Sequence, residues 1–277
     1  MSHDVHHFSM GLWVFFLSYA TAVVGSFVGL SCVRRSLDEP RRSGNWWLLM
    51  AALSIGGVGI WLMHFIGMMG FAVPGSAIRY DLAPTVFSVV LAVAATLLGL
   101  WIADVQSVST RSVPEWLRLG VGGVLMGVAV SLMHYSGMSA IRIQGTIEHE
   151  IGYVVGSVAI GIVASTVALA LARRTRRTVV RVGAALVMGC AVVALHYTGM
   201  AGVRVTLDPT ALPPAGMTVM SLLFPAFVLG IIVLAVPITA LLLAPGRDDT
   251  VRDEQLEQWA SEVERQAARE AVPNSRW

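Results

Sequence analysis

The chain has no lysine; all 19 of its basic residues are arginine, and charged residues make up 13% of the sequence. That is about half the charge of an average soluble domain. Cysteine is almost missing: Cys32 and Cys190 stand alone, with no CxxC and no disulfide framework. Both fall in or beside apolar runs, where cysteine acts as a small buried hydrophobe. Also missing are a Ser/His/Asp set, paired carboxylates and a phosphate loop, so the chain is not expected to be an enzyme. The arginines lie in short clusters without interleaved aromatics, which argues against nucleic acid as a partner. The opening "MSHDVHHF" has no positive segment, and the apolar run behind it is long enough to span a membrane. A cleavable leader is therefore not expected, and the first helix stays.

What the chain does have is apolar length. Hydrophobic residues make up 56% of the 277, gathered in long runs. A hydrocarbon core of about 30 Å takes roughly 20 apolar residues per helix. Seven segments qualify: about 8–32, 46–69, 84–103, 119–140, 151–172, 179–201 and 218–244. The expected fold is all-α, a polytopic membrane helix bundle whose first partner is the lipid bilayer.

Arginine bias orients the spans. The loops after helices 1, 3 and 5 and their margins hold eleven arginines, among them Arg34, Arg35, Arg111, Arg118, Arg173 and Arg177. The alternate loops hold Arg79, Arg142 and Arg204, each accompanied by an acid (Asp81, Glu148 and Asp208). The N-terminus is thus expected outside and the C-terminus in the cytoplasm.

Three short stretches then stand out: "LMHFIGM" at 62–68, "LMHYSGM" at 132–138 and "ALHYTGM" at 194–200. Each ends an even-numbered helix, so all three lie in the outer half of the bilayer. Their histidines are 70 and 62 residues apart. One motif per helix pair at that period reads as a threefold internal duplication, with the seventh helix added. On a helix, i and i+4 share a face. His64 therefore stacks with Met68, His134 with Met138, and His196 with Met200. Glycine at i+3 (Gly67, Gly137, Gly199) removes bulk, letting a neighbouring helix or an ion approach.

A histidine in hydrocarbon is costly without a partner and points into the bundle. Three imidazoles with three thioethers form a soft ligand set for a metal ion, suited to copper, above all Cu(I), with haem iron next. Met63 and Met133 precede two of the histidines and are further candidates, although Leu195 breaks that position in the third copy. Tyr135 and Tyr197, at i+1, point away from the histidine face and are expected at the interface with polar tips at the headgroups. His3, His6 and His7 precede the first helix on the outer side and are either a metal-collecting group or a solvated tail. His149, in the outer "EHE", has no matching partner in the sequence.

The "MHYS" at 133–136, "LHYT" at 195–198 and variant "MHFI" at 63–66 resemble the MHYT domain, named for a Met-His-Tyr-Thr motif repeated three times in a bacterial seven-helix membrane unit. The resemblance covers about 8–206, with "SYATAVVGSF" at 18–27 similar to the family's first helix, and is followed by the seventh helix at 218–244. It implies a sensor of the bacterial cytoplasmic (inner) membrane, holding copper through the motif histidines and methionines and responding to oxygen, carbon monoxide or nitric oxide. Many members carry fused cytoplasmic cyclic-di-GMP enzymes or histidine kinases. Here the charged tail 245–277 is too short for such a domain and reads as an amphipathic helix. The expectation is accordingly a metal-binding sensory module that signals through a separate cytoplasmic or membrane partner. The alternatives are a copper-handling protein at the outer face, for delivery or transport, and a haem-binding membrane protein. Met50, Met126 and Met188 on the inner side are too scattered to define a transport path.

Overall fold

The computed structural model describes residues 8–103, 114–174, 177–243, 259 and 261–263. Its spans are α1 (Trp13–Ser36), α2 (continuous through Arg41–Ala52, Leu53–Leu62 and Met63–Met68), α3 (Leu82–Ile102), α4 (Glu115–Ser139), α5 (Ile151–Arg174), α6 (Thr178–Ala201) and α7 (Val219–Leu243). The all-α, seven-span expectation is the fold observed. Helix edges move by up to about five residues. Helix α1 starts at Trp13 and runs on to Ser36, because Arg34 and Arg35 continue it and pair one turn ahead with Asp38 (3.3 Å) and Glu39 (2.9 Å). His3, His6, His7 and nearly all of the tail lie outside the described residues. The chain divides into two compact units, Met1–Ile238 and Thr239–Trp277.

Sequence neighbours are spatial neighbours from α1 round to α6, and α6 packs back on α1, so six helices close a ring. The three motif helices, α2, α4 and α6, also touch one another inside it. Helix α2 is the most enclosed, with 78% of its most apolar stretch buried, against 11% for α7, which lies at the rim with Gly230 facing Leu62. Close approach is made by small residues. A β-carbon on Gly25 of α1 would meet the Gly59 backbone at 2.5 Å, and one on Gly56 would meet the Ala92 carbonyl of α3 at 2.6 Å.

Two features were not legible in the sequence. Leu53–Leu62 is wound as a π-helix, with the Met63 N–H reaching the Val58 carbonyl. Wide turns of this kind accompany functional sites, and this one ends two residues before His64. Second, the loops at the histidine end of the bundle, those read from the arginine bias as the outer loops, are stitched to one another. Strand β1 (Arg79–Tyr80) pairs with β2 (Ile141–Arg142), β3 (Gly145–His149) pairs with β4 (Val203–Leu207), and Tyr80 bridges to Met217. Each outer loop thus bonds to the other two. Gln144 fastens the junction, its N–H donating to Ser76 Oγ (2.8 Å) and its side-chain amide to the Ala211 carbonyl (3.1 Å). The outer ion pairs run between loops: Arg142 with Asp81 (2.9 Å) and Arg204 with Glu150 (2.8 Å). Arg204 therefore pairs with neither of the acids read beside the outer arginines, Glu148 or Asp208.

Asp81 also caps α3, accepting from the Ala83 N–H. The Arg142 hydrogen bond first, then the Ala83 N–H, holds its carboxyl below the ordinary range. A carboxylate with a depressed folded pKa contributes stability above its unfolded value, about 3.9, and loses it as the pH falls through the folded value. Acidification below about pH 4 is therefore expected to loosen the outer loops. Faster amide exchange at Ala83 and in β1–β2, with the spans unchanged, is the readout; uniform exchange would refute it.

Candidate metal centre

Most buried polar groups of the bundle are small hydroxyls satisfied within their own helix. Ser18 donates to the Phe15 carbonyl (2.8 Å), Ser54 to Met50 (2.8 Å), Thr96 to Ala92 (2.8 Å) and Ser131 to Gly127 (2.9 Å). Such back-bonding lets a hydroxyl enter a membrane helix cheaply. An imidazole is too large and too polar for that device, so histidine must find partners on other helices.

His64, His134 and His196 find one another. They are 1%, 0% and 1% exposed, and one ring nitrogen from each lies within 4.8 Å of the other two. They are the one such group of three among the described residues. Nδ1 of His64 is 3.0 Å from Nδ1 of His196 and 3.1 Å from Nδ1 of His134. The rings stand nearly perpendicular to one another, at interplanar angles of 83–86°.

The motif glycines explain this convergence, in a way the sequence reading did not anticipate. Each receives the histidine of another repeat. A β-carbon on Gly137 would lie 2.5 Å from His64 Nε2, one on Gly67 would lie 2.5 Å from His196 Nε2, and one on Gly199 would come closer still to His134 Nε2. The relation is cyclic, His64 onto Gly137, His134 onto Gly199 and His196 onto Gly67. Glycine thus makes room for a ring, not for an ion or a whole helix. With Nε2 against glycine, each Nδ1 is turned to the centre.

The aromatic at i+1 backs its own histidine edge-on. Ring centroids are 5.0 Å apart for His64–Phe65, 5.0 Å for His134–Tyr135 and 4.8 Å for His196–Tyr197. The two tyrosines, expected with polar tips at the headgroups, also make contacts within the protein. Tyr135 is in hydrogen-bond contact with Ser157 Oγ on α5 (2.6 Å), and its ring meets His149 edge-on at 5.3 Å. Tyr197 is flanked by Phe8 and Phe15 at 5.5 and 5.4 Å. These contacts turn both rings into the protein, and they give His149 a neighbour that the sequence did not show. Cys32 is buried as expected, but Cys190 is exposed on α6, its thiol 3.7 Å from the Tyr19 hydroxyl.

Met68, Met138 and Met200, one turn outward of the histidines, are 1%, 1% and 2% exposed and cover that side of the cluster. Met133 is equally buried, whereas Met63 packs in an apolar group with Ala22 and Val193. All eight candidate residues are thus buried at this end of α2, α4 and α6, and the three histidines are the ones brought together.

The donor set fits a metal ion. A ligand distance of about 2.0 Å puts three nitrogens about 3.3–3.5 Å apart in trigonal or tetrahedral arrangement. Two of the present spacings, 3.0 and 3.1 Å, fall a few tenths of an ångström short of this, and all three lie within 4.8 Å. Nε2 of His64 and of His134 is buried without a hydrogen-bond partner. Without an ion, both short Nδ1 contacts run through His64, whose Nδ1 serves both at once, as shared acceptor or as shared donor according to the tautomer.

Comparison with known proteins accords with this arrangement. Residues 57–119, 127–185 and 189–253 each match the MHYT family model, described as "Bacterial signalling protein N terminal repeat". The chain is 38% identical to the bifunctional diguanylate cyclase/cyclic di-GMP phosphodiesterase MucR of Pseudomonas aeruginosa over 195 residues, 69% of this chain and 27% of that protein. It is 32% identical to the cyclic di-GMP phosphodiesterase NbdA of the same organism (67% of this chain, 23% of that protein). With the signaling protein YkoW of Bacillus subtilis the identity is 30% (66% and 23%). The chain spans about a quarter of the length of these curated relatives. No solved structure matches it. Each matched segment carries one histidine of the cluster, and together they cover most of the sequence: the chain belongs to the MHYT family of bacterial membrane signalling proteins.

Proposed function

We propose that the domain is a sensory module of the bacterial inner membrane that binds copper, as Cu(I), through His64, His134 and His196. Met68, Met138 and Met200 are the thioether candidates on its outer side. The observation that carries this reading is the convergence of three buried Nδ1 atoms from three repeats. When bound, copper supplies a one-electron couple and a position open to a diatomic ligand. The chain's own part is to present three lone pairs. His134 and His196 then hold their proton on Nε2, against Gly199 and Gly67. Close packing of the rings on glycine favours a single ion over a haem macrocycle.

The arginine-rich loops support an orientation with the cluster in the outer half of the bilayer and the C-terminus in the cytoplasm. A diatomic gas or a redox change at the cluster shifts α2, α4 and α6, which touch one another around it. A cytoplasmic or membrane partner reads that movement. By analogy with MucR and NbdA, cyclic di-GMP turnover is the output proposed.

Metal analysis of the purified protein tests the ion. One copper per chain is expected in the wild type, and none in the His64/His134/His196→Ala variant. A copper-free wild type, or an undiminished variant, would sink the reading; a Soret band would replace the ion by haem. Met68→Leu, Met138→Leu and Met200→Leu keep side-chain volume and remove sulfur. Each is expected to weaken Cu(I) binding about tenfold, within the range for altered metal surroundings. Unchanged affinity in a competition titration would leave these methionines as packing alone.

A further inference from the structure

One helical turn inward of His64, His134 and His196 stand Ile60, Val130 and Val192. These three line a cavity of about 30 Å³ that extends a further turn inward to Met126 and Met188. Ser165 supplies the only hydroxyl of its lining, the remainder being apolar side chains and glycine. A buried water needs two to four polar partners, whereas cavities without them stay dry and take apolar guests. Size and lining therefore favour one small uncharged molecule.

The position of the cavity also says how such a molecule arrives. Outward of the histidines lies the buried layer of Met68, Met138 and Met200, and beyond it the mutually bonded outer loops. Toward the lipid the barrier is thin. A groove on the bundle surface between α5 and α6, lined by apolar residues, shares Ala164, Met188 and Ala191 with the cavity. Two alanines and one flexible methionine thus separate hydrocarbon from the chamber under the histidines. Small nonpolar molecules dissolve preferentially in that hydrocarbon.

We propose that this cavity is a binding site for a small apolar molecule of diatomic size, which enters from the bilayer through the α5–α6 seam and lodges beneath the histidine cluster. What the molecule does there rests on the copper reading; the site and the route do not.

Xenon, a nonpolar probe, tests the site in metal-free protein, by diffraction from pressurised crystals or by xenon magnetic resonance. Xenon is expected among Ile60, Val130 and Val192, lost in Ala191→Leu and strengthened in Met188→Ala, which enlarges the chamber. Xenon absent from this position in the wild type, or indifferent to both substitutions, overturns the site. Should Ala191→Leu fail to fold, Met188→Ala decides, since unchanged occupancy there overturns it as well. The route is read in Cu(I)-loaded protein by carbon monoxide recombination after flash photolysis. Recombination slows in Ala191→Leu at unchanged copper content if the seam is the entrance, and an unchanged rate overturns the route. Absence of copper defeats the metal reading alone, because the xenon result stands without it.

Discussion

Gly67→Ala, Gly137→Ala and Gly199→Ala are each expected to destabilise the metal-free protein by about 1–3 kcal/mol, the cost of overpacking a filled core. Each is also expected to abolish copper binding. The added methyl would stand 2.5 Å or less from the Nε2 of a histidine on another motif helix. The ring must swing away, and its Nδ1 leaves the centre. Helical glycines with open surroundings provide the control. A β-carbon on Gly120, Gly152 or Gly183 meets nothing within 4 Å, and alanine there gains up to about 1 kcal/mol of helix propensity. Thermal unfolding in detergent, with metal analysis alongside, separates the two groups. Motif glycines that tolerate alanine as well as Gly120, Gly152 and Gly183 do would show that they do not seat the histidines.

His64→Ala is expected to be the most damaging single histidine substitution in metal-free protein. Both short Nδ1 contacts, 3.0 and 3.1 Å, run through His64. Its removal strips His134 and His196 of their shared Nδ1 partner, and a buried polar group left without its partner costs about 1–3 kcal/mol. His134→Ala removes one partner together with its own demand, and His64 keeps its contact with His196. The melting temperature should thus fall further for His64→Ala than for His134→Ala. In copper-loaded protein the difference should vanish, since loss of any one ligand defeats the site. Equal losses without metal would mean that the three rings share their protons symmetrically.

The two results together separate what the chain spells out from what it builds. Seven spans were legible because the apolar runs are long and the breaks carry arginine, proline or acid. The histidines were legible as candidates because one residue pattern recurs at the same end of α2, α4 and α6. Their facing direction was partly legible too, since a buried imidazole must point inward. The i,i+4 spacing that sets Met68 one turn beyond His64, and its counterparts, also followed from helical periodicity. The layer of Ile60, Val130 and Val192 obeys the same periodicity one turn inward, but nothing in those residue types marked them. Apolar side chains in an apolar helix carry no sign of the void between them.

The sequence by itself determined that this is a seven-span membrane bundle with a threefold repeat, each copy carrying one histidine at the same place in its motif helix. Local rules suffice for that, because helix length, arginine bias and i,i+4 spacing are properties of single segments. Only the tertiary structure decided that the ring closes through α1 and α6, that His64 seats on Gly137, His134 on Gly199 and His196 on Gly67, and that three Nδ1 atoms meet. Those are relations between helices roughly 60 to 170 residues apart in sequence. They depend on how closely backbones approach, which is set by the absence of a side chain on one helix and the size of a ring on another. The pairing of Arg142 with Asp81 across two loops, and the thin alanine wall beside the cavity, were settled by the same packing.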